Sequence, residues 1–166
     1  MTLEHSTFAS PLGELTVVTH GGRLAGLGFS DCGTPLRRSL ERRFGRVTPT
    51  AASAPSPIAR VLAAYFAGDV AALDTIDVDP GGTTFQQRVW GALRRIPVGQ
   101  TVSYRDLART IGAPAAVRAV GAANGANPIG IVVPCHRVIG ADGALHGYAG
   151  GLARKRWLLR HEGAIA

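Results

Sequence analysis

Cys135 closes the apolar run Ile131-Val132-Val133-Pro134 and is followed directly by His136 and Arg137. A thiol attacks only as its thiolate, and a neighbouring base in cationic surroundings makes that form easier to reach. Both lie beside Cys135 in the sequence. Successive residues of an extended strand point to opposite faces, so adjacency alone does not bring an imidazole to a sulfur. A cysteine at the end of a β-branched run is equally what a buried core contains. Cys32, the second thiol, lies in the other half of the chain. The start Met1-Thr2-Leu3-Glu4-His5 lacks the basic and apolar pattern of a secretory signal. The chain therefore reads as soluble and cytoplasmic, with free thiols rather than a structural disulfide and with no membrane segment.

The charge is unevenly spread. Residues 1–80 hold 7 arginines against 8 acidic residues, whereas residues 81–166 hold 11 Lys and Arg against Asp106, Asp142 and Glu162, a balance of +8. One basic lobe is what a phosphate-binding surface needs, although a solvated basic face has the same composition. The 166 residues and the hydrophobic share of 46% suffice for one domain or for two small lobes with a common interface.

The elements that must position Cys135 can be read from periodicity. Residues 7–10, 14–18 and 24–29 form an antiparallel meander with turns at Pro11-Leu12-Gly13 and Gly21-Gly22. Residues 35–44 and 57–67 are helical, the first with Leu36, Leu40 and Phe44 in line, the second with Ile58, Val61, Leu62, Tyr65 and Phe66. Residues 47–57 between them read as a loop, and Asp79-Pro80-Gly81-Gly82 as the boundary between lobes 1–80 and 81–166. Beyond it, Phe85, Val89, Leu93 and Ile96 define a helix stopped by Pro97 and Gly99. Ser103 and Asp106 resemble a capping box opening a helix that ends at Gly112, and Pro114 suits the first position of the next, residues 115–123. Two short helices around Gly112-Ala113-Pro114 outline a helix-turn-helix. The second carries Ala115, Ala116, Ala119, Gly121, Ala122 and Ala123 around the single charge of Arg118. Small side chains permit close approach of another helix or of a nucleic-acid groove, and composition does not choose between them.

Pro134-Cys135-His136-Arg137-Val138 together with Gly82-Thr83-Thr84-Phe85-Gln86-Gln87-Arg88-Val89-Trp90 resembles the signature of the O6-alkylguanine-DNA alkyltransferases. The resemblance continues through Ser103-Tyr104, Arg118-Ala119-Val120-Gly121, Asn127-Pro128, Gly147-Tyr148-Ala149-Gly150-Gly151 and Trp157-Leu158-Leu159-Arg160-His161-Glu162-Gly163. Among relatives the chain is similar to the bacterial stand-alone type. The resemblance implies an α/β (α+β) fold, with an N-terminal ribonuclease-H-like α/β lobe and a C-terminal, mostly helical lobe that holds the helix-turn-helix and the reactive cysteine. It implies a monomer that binds double-stranded DNA through the minor groove, with Arg118 filling the gap left by a flipped nucleotide and Ala119 beside it on the DNA.

By the same resemblance, Cys135 takes the alkyl group from guanine O6, with O4-alkylthymine as a further candidate. His136 accepts the thiol proton through a water, Glu162 orients His136, and Tyr104 donates to guanine N3 as well as touching DNA. Asn127 supports the site, while Val138, Tyr148, Ala149 and Gly150 form the base pocket. Arg137 reads as a structural or phosphate-facing charge and Cys32 as a buried bystander. Gly130 and Asn124 stand where some relatives carry a proline and a bulkier apolar residue, which predicts room for larger O6 adducts. A thioether product offers no second step, so the chain reads as a single-turnover transferase without cofactor or metal. His5, His20 and Cys32 do not reproduce the zinc set of some relatives. Three other readings remain at this point: a lesion-binding module, which lacks the cysteine present here; a helix-turn-helix regulator sensing through Cys135; and a cysteine hydrolase, which turns over.

Overall fold

The computed structural model describes residues 2–46, 48–54 and 56–166. Its N-terminal part is the expected meander, β1 (Leu3–Ser10), β2 (Gly13–His20) and β3 (Arg23–Phe29). β1 starts earlier than its own alternation suggests because it pairs with β2 along its whole length, from Leu3 opposite His20 to Ser10 opposite Gly13. α1 (Gly33–Phe44) follows, then the two-residue strand β4 (Thr50–Ala51), parallel to β1, so the sheet order is β3-β2-β1-β4. β4 lies within residues 47–57, read from sequence as a loop, and Val47 and Pro55 of that stretch lie outside the described residues. α2 (Pro57–Phe66) opens with Ser56 accepting from the Ile58 amide and buries Ile58, Leu62 and Tyr65.

α3 (Thr84–Arg94) begins with a full capping box between Thr83 and Gln86 and buries Val89, Trp90, Ala92 and Leu93. Next come β5 (Val102–Ser103), α4 (Tyr104–Thr110) and α5 (Val117–Gly125), and after them β6 (Val138–Ile139) and α6 (Leu152–His161). Ser103 caps α4 by accepting from the Asp106 amide, whereas the Asp106 carboxylate pairs with Arg109, so only half of the expected box forms. Pro114 does not open α5. The Ala116 amide donates to the Ala113 carbonyl and closes a turn with Pro114 inside it, where a fixed φ is favoured, and the helix begins at Val117. Gly112, at φ +74, ends the preceding helical segment as expected.

The hydrophobic core is continuous across the two halves. Leu15, Leu27, Phe29 and Leu62 belong to one cluster with Val89, Leu93, Ile129 and Val138. β3 makes the junction along its outer edge. Leu27 donates to the Pro128 carbonyl and its own carbonyl accepts from the Gly130 amide, both at 2.9 Å. An edge that would otherwise expose unpaired backbone is thereby spent on the segment leading to Cys135. Arg94 adds a second tie: its guanidinium donates to the carbonyls of Leu73 and Ile76 on one side and of Val132 on the other.

Replacing Arg94 with Met leaves these three carbonyls without their donor. Urea denaturation is expected to show a loss of about 2–4 kcal/mol with unchanged slope. Arg95→Met, one residue on and exposed, should change stability by less than about 0.5 kcal/mol. Equal midpoints for the two variants would show that the bridge contributes nothing.

Candidate active site

Residues 131–133, β-branched and expected to be extended, form tight turns instead. Val132 donates to the Gly130 carbonyl at 2.7 Å around Ile131, whose φ of 68° is a conformation that β-branched residues rarely adopt. A second narrow turn around Pro134 brings the Cys135 amide to the Val133 carbonyl at 2.8 Å. Asn127 holds this path: its Nδ2 donates to the carbonyls of Ile129 and Val133, and its Oδ1 accepts from the Ile129 amide. Backbone that is neither helix nor strand must find partners elsewhere, and one amide side chain supplies three. A single 3₁₀ turn, Cys135–Arg137, follows, so Cys135 and His136 are not on opposite faces of a strand.

His136 and Glu162 are both buried, and His136 Nε2 lies 2.9 Å from Glu162 Oε2. Arg137, also buried, donates from Nε to Oε1 and from a terminal nitrogen to Oε2, which settles it as a structural ion pair. The Tyr65 hydroxyl donates to Oε2 at 2.8 Å. Three of these hydrogen bonds converge on Oε2 and one reaches Oε1. Burial alone would raise the Glu162 pKa, but His136 and Arg137 outweigh it and hold the group down at about 2. An ionised carboxylate only accepts, so His136 Nε2 carries the proton and Nδ1 is a bare lone pair. Nδ1 is buried and, among the described residues, has no partner. Burial lowers the His136 pKa against the pull of Glu162, which favours the neutral ring.

Cys135 is half-buried. Burial pushes its thiol pKa up, and the nearby Asn127 amide and the charge of Lys155 oppose the shift. Lys155 was not singled out from the sequence. It is fully buried on α6, and its ammonium donates to the carbonyls of Val138, His146 and Gly147. It thus fastens the loop carrying Tyr148 to the strand after the cysteine. A lysine among Arg154, Arg156 and Arg160 gives no sign in one dimension that it points inward.

A cavity of about 520 Å³ opens onto Cys135. Tyr104, Asn127, Tyr148, Ala149 and Gly150 line it, as do Asn124 and Gly130. Tyr104 reaches this place because Val102 and Ser103 pair in parallel with Val138 and Ile139, which sets the first residue of α4 beside the cysteine turn. Burial and the neighbouring Cys135 raise the pKa of Tyr104, and burial raises that of Tyr148, so both are hydroxyl donors near neutrality. Val138 is not among the residues lining this cavity. It is fully buried in the core, and Lys155 occupies its carbonyl. Gly150 has no room for a Cβ against Phe29, over which Arg154 stacks at 4.0 Å. Cys32 is not the buried bystander expected: it is half-buried, lines the same cavity, and lies 3.8 Å from Arg154, with Asp31 raising its pKa.

The exposed face of α5 bears Arg118, Ala119 and Ala122, while Val120, Ala123 and Asn124 are buried. The small residues divide between two sides: Trp90 donates to the Ala123 carbonyl on the inner side, and Ala119 and Ala122 on the outer side are exposed. Gly121 and Gly125 of the same helix border the cavity. No group of three His, Cys, Asp or Glu side chains able to hold a metal ion occurs among the described residues. No helix among them is long and apolar enough to cross a membrane.

Residues 3–80 match the ribonuclease-like domain of 6-O-methylguanine DNA methyltransferase, and residues 84–164 match its DNA binding domain. The methylated-DNA--protein-cysteine methyltransferase of Salmonella typhimurium is 49% identical over 99% of this chain and 98% of its own length. That of Mycobacterium tuberculosis is 48% identical over 96% of this chain and 92% of its own. The crystal structure of Mycobacterium tuberculosis OGT in complex with DNA superposes with a TM-score of 0.82 at 46% identity, covering 97% of this chain and 93% of that one. The O6-methylguanine-DNA methyltransferase of Pyrococcus kodakaraensis gives 0.73 at 26% identity, covering 98% and 99%. With both halves matched and near-full-length relatives at almost one identical residue in two, the chain belongs to the 6-O-methylguanine DNA methyltransferase family.

Proposed function

We propose that this chain repairs DNA directly, moving the alkyl group of an O6-alkylguanine, and by the same chemistry of an O4-alkylthymine, onto its own Cys135. The observation that carries the reading is a thiol at the end of a base-sized cavity, followed in one turn by a buried neutral histidine with an unused lone pair. A water between Cys135 Sγ and His136 Nδ1 passes the thiol proton to the imidazole, and Glu162 stabilises the imidazolium. Sulfur then attacks the alkyl carbon in line with the C–O6 bond. The S–C bond forms as C–O6 breaks, and the electron pair leaves with the base. Tyr104 offsets that charge by donating its hydroxyl proton toward N3 and is reprotonated through solvent, so the thiol proton in effect replaces the alkyl group on a neutral guanine. A thioether has no hydrolysable bond, so each molecule acts once.

The base reaches the cavity by leaving the duplex. We read α5 as the minor-groove element: Ala119 and Ala122 permit close approach, and Arg118 fills the space of the flipped nucleotide, offsetting part of the unstacking cost. Tyr148, Ala149 and Gly150 wall the base, and Gly130 and Asn124 leave room for adducts larger than methyl. In this reading a monomer works in the cytoplasm, with residues 1–80 as the supporting lobe and 81–166, with its +8 balance, as the DNA-binding and transfer lobe.

Incubation with a duplex carrying O6-methylguanine should add one methyl per chain, mapped to Cys135 by mass spectrometry and absent in Cys135→Ser. An unmodified protein that still binds the lesion would make the chain a recognition module. The step needs neutral His136, whose pKa lies below the ordinary 6.5, so the single-turnover rate should hold as pH falls through 6.5 and decline only below it. A decline centred above 6.5 would contradict that assignment. Glu162→Gln removes the charge behind the imidazolium and should slow transfer about 100-fold or more in protein that still binds DNA.

A further inference from the structure

One donor to Glu162 comes from outside the C-terminal half. Tyr65 sits in the last turn of α2, 97 residues away in sequence and fully buried. Its hydroxyl donates to Oε2, the same oxygen that His136 Nε2 meets at 2.9 Å. Its backbone carbonyl lies 2.7 Å from His161 Nε2, so one residue of α2 holds two consecutive residues at the end of α6. The ring packs edge-on against Phe66 and His161, which fixes the direction of the hydroxyl. Glu162 caps the C-terminal end of α6, where the helix dipole disfavours an anion, so every donor to it counts. Each donor also draws charge from the carboxylate that would otherwise serve the imidazole.

We propose that Tyr65 is a positioning residue of the transfer centre: by sharing Oε2 with His136 it fixes the carboxylate and limits how strongly Glu162 draws a proton onto the ring. The N-terminal lobe thereby tunes the base that activates Cys135. The other charged or titratable groups around the His136–Glu162 pair are Arg137 and Cys135 on the turn of His136 and Lys155 on α6, with Tyr148 of the loop acting on Glu162. None of these changes when the Tyr65 hydroxyl is removed. Without it, more of the carboxylate charge faces His136, the imidazolium gains, and the acid limb of reactivity moves to higher pH. A stronger donor at the same place moves it down.

The inference rests on the direct-transfer reading, and two readouts separate them: methyl transfer from O6-methylguanine duplex, and alkylation by iodoacetamide without DNA, mapped by mass spectrometry to distinguish Cys135 from Cys32. In Tyr65→Phe the acid limb of both should rise by roughly half a pH unit or more, and transfer should slow several-fold. Site-specific 3-fluorotyrosine at position 65, which keeps the hydroxyl and strengthens it as a donor, should lower the limb and decides the matter if the Phe variant does not fold. Leu62→Ala, which opens a cavity on the same helix without touching Glu162, should weaken stability and leave the limb in place. Limbs that coincide for wild type and Tyr65→Phe, or that move equally in Leu62→Ala, would reduce Tyr65 to packing. A wild-type protein that takes no methyl from DNA but shows the iodoacetamide shift would overturn the repair reading alone.

Discussion

A single buried carboxylate organises this molecule. Glu162 sits at the end of the last helix, out of water, where a lone anion is expensive, and its ionised state survives because four hydrogen bonds reach it from Tyr65, His136 and Arg137. These donors come from α2, from the turn carrying the cysteine, and meet on α6, so the demand of one charge draws distant parts of the chain together. The same demand sets the tautomer of His136. An acceptor-only partner at Nε2 leaves Nδ1 as the free base, and the chemistry proposed for Cys135 begins from that lone pair.

The segment that carries the cysteine is irregular, and irregular backbone inside a protein must be paired by something. Asn127 takes three of its groups, Arg94 takes the Val132 carbonyl, Lys155 takes that of Val138, and the edge of β3 takes residues 128 and 130. Each is a long polar side chain or strand edge reaching across the core to a peptide group. The left-handed Ile131 is held within this frame. The cavity in front of Cys135 is therefore bordered by a preformed wall, as a site that must align a sulfur with one carbon requires. The Mycobacterium tuberculosis relative solved with DNA superposes on 97% of this chain.

Much was legible from residue types and order. Alternation marked the meander, Gly112 marked the end of one helix, and the motif around Cys135 with Tyr104, Asn127, Tyr148 and Glu162 named residues that do converge. What failed did so for tertiary reasons. Residues 131–133 look like a strand because they are β-branched, yet among the described residues no strand pairs with them, and turns closed by Asn127 are the alternative. Pro114 suits a first helical position but suits the second position of a turn as well, and the packing of α5 against α3 and α4 selects the turn.

The order of residues by itself determined the family, the candidate nucleophile Cys135 with the histidine beside it, and the basic character of one half, because these depend on identity and on neighbours along the chain. Only the tertiary structure decided which buried groups meet Glu162, that Lys155 turns inward, that Val138 lies in the core, and that Cys32 borders the cavity. Tyr65 and Glu162 are 97 residues apart, and no periodicity encodes a hydrogen bond between a helix of one lobe and the end of a helix in the other. That pairing follows from the need to satisfy a buried charge, which arises only after the two halves have packed and excluded water.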